Sequence, residues 1–221
     1  MFPFSKPSNN KNWELDQKVL PSITRNGGLI SIKNIRNFHY RSELVYDIDY
    51  YDKTFCLDEI KTATIGFVPF SKTIIVVHAF VKFDFKDKSH VVFSVELRKK
   101  KGQKFSFWKN ILPYCEIMYV IADQQDVIDL RVKHRENESV DLYELNLKAG
   151  QLRQIFWDMC VRANNIHSQP EFFSLFLNNC TSNLIDHLNK AADYRIPWFY
   201  KHILPGFLRR YLLKNRFVAR Q

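Results

Sequence analysis

The sequence predicts an α+β domain in which C-terminal helices pack on an antiparallel sheet. From Leu29 to about Leu147 the apolar residues run in short alternating or continuous stretches broken by turn residues, the pattern of strands. From Gln151 the spacing becomes helical: Leu152, Ile155, Phe156, Met159, Cys160, Ala163 and Ile166 fall on one face. Strand segments first and helical ones last give a segregated arrangement of the two. With 46% hydrophobic and 15% aromatic residues, the 221-residue chain has enough apolar surface for one sizeable core. The expected division is an irregular lead-in over 1–28, the domain over 29–193, and a basic aromatic tail over 194–221.

The lead-in carries Pro3, Pro7, Pro21 and the turn signal Asn26-Gly27-Gly28. Strands are predicted over 29–35, 53–57, 64–67, 74–85, 90–98, 116–122, 127–132 and 140–147, with Lys86-Asp87-Lys88-Ser89 joining the two central ones as a hairpin. A helix over 151–166 stops before Pro170, a short helix is predicted over 171–177, and another begins at Asn179-Cys180. In that last helix Leu184, Ile185, Leu188, Ala191 and Ala192 recur at helical spacing, which makes Asn179 the N-cap and puts Cys180 in the first turn.

Cys180 stands apart from the other cysteines. Cys115 and Cys160 lie in periodic apolar segments and read as core, and Cys56 as half-buried. The four show no C-x-x-C pair, no Cys/His cluster at zinc spacing and no disulfide framework, so neither a metal nor another cofactor is called for. At a helix N-terminus the unpaired N–H groups favour an anion, which lowers a thiol below its usual pKa of about 8.5. The plain alternative is a buried structural cysteine.

His78 is the second candidate. It is the polar exception in an apolar strand, on a face with Ile74, Val76, Phe80, Lys82 and Asp84. On the next strand alternation separates Val91, Phe93, Val95 and Leu97 from His90, Val92, Ser94, Glu96 and Arg98. Thiol attack needs a thiolate, a base and a third group that fixes the imidazole, and Cys180, His78 and either Glu96 or His90 meet that list by residue type. A hydrogen-bonded structural histidine is the plain alternative here.

The net charge of +10 is concentrated at the end of the chain. From Arg195 onward there is no acidic residue, while Arg195, Lys201, Arg209, Arg210, Lys214, Arg216 and Arg220 are basic, interleaved with Trp198, Phe199, Tyr200, Phe207, Tyr211 and Phe217. This mixture suits an anionic membrane surface, or equally a docked helix with a solvated basic face. Without a nucleic-acid motif or basic residues spread over the whole fold, no nucleic-acid partner is expected. No apolar run approaches the roughly eighteen residues of a membrane span, and the start does not resemble a secretory signal.

Several segments in order resemble the Lnb N-terminal periplasmic domain family. They are Asn37-Phe38-His39-Tyr40-Arg41-Ser42, His78 through Phe83, Phe93-Ser94-Val95-Glu96-Leu97-Arg98, Tyr119-Val120-Ile121-Ala122-Asp123 with Asp126-Val127-Ile128 and Arg131, and Asn178-Asn179-Cys180-Thr181-Ser182-Asn183. The order of His78 before Asn179-Cys180 also resembles circularly permuted papain-like enzymes, of the NlpC type and the lecithin retinol acyltransferase group. The latter group implies a second histidine twelve positions after the first, which His90 matches. The Lnb-type pattern instead stresses Ser94, Glu96 and Arg98, which favours Glu96 as the group that orients His78. Where such relatives show Asp-Glu-Arg-Asp, this chain has Asp123-Gln124-Gln125-Asp126.

The resemblance implies a cysteine-dependent hydrolase or acyltransferase of the bacterial cell envelope, acting on an amide or ester of a lipid, peptidoglycan peptide or lipoprotein. Cys180, His78, Glu96 and Asn179 would be catalytic, with Asn179 and the Cys180 N–H as oxyanion donors. His90, Ser94, Arg98, Asp123 and Arg131 would touch substrate. It also implies the periplasmic side of the inner membrane, behind an N-terminal membrane segment absent from this chain. The alternative is a catalytically silent binding module that keeps the groove for a lipid, glycan or protein.

Overall fold

The computed structural model describes residues 6–43, 45–69, 77–103, 115–134, 139–197 and 205–220. The fold is α+β, as predicted. Its strands are β1 (Ser22–Asn26), β2 (Leu29–Arg36), β3 (His39–Tyr40), β4 (Tyr46–Asp47), β5 (Tyr50–Cys56), β6 (Ile60–Pro69), β7 (Val77–Phe85), β8 (His90–Arg98), β9 (Glu116–Ala122), β10 (Asp141–Leu145) and β11 (Val218–Arg220). The helices are α1 (Ala149–Ser168), α2 (Cys180–Ala191) and α3 (Pro205–Lys214), together with a π-helix over Gln125–His134. A nine-stranded sheet runs β1-β2-β9-β8-β7-β6-β10-β11, with β5 also on β2, while β3 and β4 pair separately. The predicted antiparallel pairing holds except between β2 and β9, which lie parallel through Arg36 and Ala122 and make the sheet mixed.

Both faces of the central strands are buried, which is why they read as nearly continuous apolar runs. On one face α1 and α2 pack over Val81, Phe83, Val91, Phe93, Val95, Tyr119 and Ile121. Phe156 of α1 sits at the centre, edge-on to Phe83 at 5.0 Å and Phe93 at 5.3 Å between centroids. On the other face Val68, Phe80, Val92, Met118, Val120 and Ala122 pack against Leu20 of the lead-in and Val127 and Ile128 of the π-helix. Gly66 is required there, because a Cβ would stand 2.0 Å from the Phe80 ring.

Three expectations are corrected. The lead-in contains β1, which pairs with β2 across the Gly27-Gly28 turn. Residues 127–132 form part of the π-helix rather than a strand, since Asp126, Val127, Ile128, Leu130 and Arg131 are buried together without two-residue alternation. Residues 171–177 are not helical: the Glu171 carbonyl accepts from Ile117 N–H at 3.0 Å and Phe173 N–H donates to Cys115 O at 2.9 Å, so tertiary pairing has taken the backbone groups a helix would use. The tail is docked on the domain, one of its two expected readings, with Leu208, Leu212 and Val218 buried, β11 paired with β10, and Arg209 bound to Asp141 at 2.9 Å. Phe207, Arg210, Leu213 and Lys214 face outward. Trp198 through Leu204 and the predicted strand start at 74–76 lie outside the described residues. Among the described residues no helix is long and apolar enough to cross a membrane. Cys115 and Cys160 are buried and Cys56 half-buried, as predicted, and all four cysteines are free thiols.

Candidate active site

Asn179 caps α2. Its Oδ1 accepts from the N–H of Thr181 at 2.8 Å and of Ser182 at 3.0 Å, and Ser182 Oγ accepts from Asn179 N–H at 2.8 Å, a reciprocal capping box. Its side-chain amide donates to Leu175 O at 2.6 Å and Ser174 O at 3.4 Å, which ties the preceding loop to the helix start. The side chain expected to donate to an oxyanion is therefore occupied, and the backbone N–H of Cys180 is the donor left at this point. Cys180 begins the helix with its thiol half-buried. Burial pushes the thiol pKa above its ordinary value, outweighing the backbone N–H groups of Ala79, Thr181 and Cys180 itself and the Thr181 hydroxyl. The expectation of a thiol lowered toward neutrality is thus corrected by the desolvation of its site.

On the opposite face of the sheet His78, Ser94 and Glu96 form a chain. His78 Nε2 lies 2.7 Å from Ser94 Oγ, and Ser94 donates to Glu96 Oε1 at 2.9 Å. Burial would raise the Glu96 carboxyl, but Arg36, Arg131 and His78, with the Ser94 hydrogen bond, hold it down at about 2. Glu96 is therefore an ionised acceptor, and the single Ser94 hydrogen points to it. Ser94 must then accept from His78, which puts the ring proton on Nε2 and makes Nδ1 the basic nitrogen. Glu96 itself is 4.0 Å from His78, so it orients the ring through Ser94. Arg131 stands 3.6 Å from Glu96 and also donates to Val127 O at 2.6 Å, while Arg36 grips buried Asp126 with both Nε and Nη2.

The two halves converge on a split in the sheet. The β7–β8 ladder runs from Asp84↔His90 to Phe80↔Ser94 and stops there, although the strands continue to Val77 and Arg98. Phe85 N–H points across the hairpin to Ser89 O at 2.9 Å, and by the two-residue period of the strand Ala79 N–H points the same way. The helix that Cys180 opens packs on β7, and the Ala79 N–H is among the groups that favour the thiolate, which puts the thiol on the β7 side of this gap. The His78 ring reaches from β7 to Ser94 and Glu96 on β8, across the same gap from the other face.

Of the residues expected to touch substrate, His90, Asp123 and Arg98 lie elsewhere, while Ser94 and Arg131 belong to the Glu96 side of the site. His90 faces Asp84, six residues along β8 from Glu96 and so about 20 Å from the split. There it bonds Asp123 at 3.4 Å, which raises its pKa, and Asp123 also accepts from Tyr51 OH at 3.3 Å and Gln125 N–H at 3.2 Å. Arg98 is buried and holds the lead-in, donating to Gln17 O, Lys18 O and Asn9 Oδ1 with its guanidinium 4.2 Å from the Trp13 ring centroid. Ser94 is wholly buried between His78 and Glu96. Arg131 serves Glu96. The sequence reading missed the polar cluster behind α2, formed by Tyr119, Asp158, Arg162, Asn183 and His187. The signal for it in the sequence is His187, seven residues after Cys180 and so about two turns along the same helix.

The family model described as Lnb N-terminal periplasmic domain matches residues 48–206. The chain belongs to this family. Searches of curated proteins and of solved structures gave no match. The Lnb match contains His78, Ser94, Glu96, Asn179 and Cys180, and it starts just before β5, after the partner strands β1 and β2. The family description carries a periplasmic location, the coarser part of the location expected from sequence.

Proposed function

We propose that this Lnb-type domain is a thiol-dependent hydrolase or acyltransferase of the cell envelope, acting on an amide or ester bond. The observation that carries the reading is the convergence of the Cys180 thiol and the His78–Ser94–Glu96 chain on one gap in the sheet. His78 Nδ1 takes the thiol proton as Sγ attacks the substrate carbonyl, and the Cys180 N–H stabilises the oxyanion. The imidazolium then protonates the leaving group, and water or a second nucleophile releases the acyl group. Because burial raises the thiol, proton transfer accompanies attack instead of preceding it. The scaffold in this reading is the permuted papain-like one. The substrate is an envelope lipid, a peptidoglycan peptide or a lipoprotein, met at the outer side of the inner membrane. The exposed Phe207, Arg210, Leu213 and Lys214 of α3 hold the domain to anionic headgroups.

The test is the pH dependence of iodoacetamide alkylation at each cysteine, read by mass spectrometry on the folded wild type, His78→Ala and Ser94→Ala. The expected result is that the apparent pKa of Cys180 rises by about one unit in His78→Ala, and less in Ser94→Ala, while Cys56 is unaffected. A Cys180 profile indifferent to His78 overturns the mechanism. The raised thiol favours a second reading in that event, a silent envelope binding module that uses the groove for a lipid, glycan or protein.

A further inference from the structure

Behind α2 lies a set of buried polar groups that the mechanism above does not use. Asn183, one turn after the cap, has its side-chain amide oriented without ambiguity. Its Oδ1 accepts from Arg162 Nε at 3.0 Å and faces the Tyr119 hydroxyl at 3.2 Å. Its Nδ2 donates to Asn178 Oδ1 at 3.0 Å and Asn179 O at 2.8 Å. Donors on one side and acceptors on the other fix which end is oxygen. Arg162 is the donor that Asn183 Oδ1 keeps, because the one hydrogen of Tyr119 goes to His187 Nε2, whose Nδ1–H is given to the Asp158 carboxylate, and Tyr119 oxygen in turn faces Arg162. Tyr119 OH meets His187 Nε2 at 2.7 Å, His187 Nδ1 meets Asp158 Oδ2 at 2.6 Å, and Arg162 forms a two-pronged pair with Glu171. Asn183 and His187 are 6% and 2% exposed and Tyr119 is 1% exposed, so water does not replace these bonds.

The carbonyl that Asn183 grips belongs to the Asn179–Cys180 peptide. An ordinary helix turn already supplies Asn183 N–H to this oxygen at 3.1 Å, Ser182 Oγ donates to it at 3.1 Å as well, and the Asn183 side chain adds a third donor, the shortest at 2.8 Å. In a trans peptide the N–H points opposite to the C=O. Fixing the Asn179 carbonyl toward the network therefore aims the Cys180 N–H outward, where it already faces its own sulfur. We propose that Asn183 is a positioning residue for the reaction at Cys180: its amide, held by Arg162, which Tyr119 braces in turn, helps set the peptide plane whose N–H stabilises the thiolate and the oxyanion. The inference rests on the reading of Cys180 as nucleophile.

The experiment is the Cys180 alkylation profile against pH in the full chain, for wild type, Asn183→Ala, Tyr119→Phe and His78→Ala, with the thermal midpoint recorded on the same samples. Asn183→Ala is expected to raise the apparent thiol pKa by about one unit, slowing alkylation about tenfold at neutral pH, with Tyr119→Phe shifting it the same way by less. Tyr119→Phe keeps the ring that packs against the core, and so serves if Asn183→Ala does not fold. A profile that moves in His78→Ala but stays in both network variants, whatever their midpoints, overturns the positioning role and leaves the nucleophile in place. A profile unmoved in all three variants overturns both. A profile moved in the network variants and in His78→Ala supports both.

Discussion

Glu96 shows how a single residue ties the site to stability. Its folded pKa of about 2 lies below the roughly 4.3 of an unfolded glutamate. A depressed carboxylate stabilises the fold above the unfolded value, and that contribution is lost as pH falls from about 4.3 through the folded one. Glu96→Gln is expected to lower stability at pH 7 by a few kcal/mol, since Arg131 and Arg36 lose a counter-charge. Urea unfolding midpoints at a series of pH values should then fall less steeply below about pH 5 than in wild type. His78 on its strand and Cys180 at its helix start are legible from residue type and spacing, which leave Glu96 and His90 as alternatives until the family resemblance favours Glu96. The place of Ser94 between His78 and Glu96 was not legible, because alternation gives the face of a strand but not which of two polar neighbours an imidazole meets. The rise in the Cys180 pKa was illegible for the same kind of reason: a helix N-terminus is visible in sequence, its desolvation by β7 is not.

Among the elements, the pairing of β6 with β7 depends on the absence of one side chain. Gly66 lies opposite Phe80 in register, and the Phe80 ring occupies the space a Cβ would take. Gly66→Ala is expected to cost about 1–3 kcal/mol, measured by chemical unfolding, and to cost less when combined with Phe80→Leu. The bounds of β8 and β9 agree with the sequence reading because polar or turn residues flank each apolar run. Residues 127–132 misled because a short apolar run has no periodicity of its own. There the burial of Asp126 against Arg36, and of its neighbours on Val120 and Ala122, selects a helical turn. Residues 171–177 misled because the pairing of Glu171 and Phe173 with Cys115 and Ile117 is contributed by a segment more than fifty positions away.

For the whole molecule, the tail is structural before it is anything else. Deleting 205–220 removes three buried apolar side chains, Leu208, Leu212 and Val218, each contributing about 1.5–3 kcal/mol, and uncovers the edge of β10. Truncation is therefore expected to lower the melting temperature sharply, and loss of membrane binding in such a chain says nothing about an anchor. Arg210→Glu with Lys214→Glu, both outward-facing, is expected to weaken flotation with anionic vesicles while leaving the melting temperature unchanged. Vesicle binding as strong as wild type would remove α3 from the membrane-facing role.

The single parallel rung between Arg36 and Ala122 divides the sheet into two panels, β1-β2-β5 on one side and β9 through β11 on the other. Backbone bonding across that line is sparse, and the Arg36–Asp126 pair beside it acts as a rivet. Under shear the panels would part there first. A fragment cut at residue 48 would also leave β5 on the far side of this seam without the strand it pairs with, so the limits of recurring sequence and the limits of a foldable unit do not coincide in this chain.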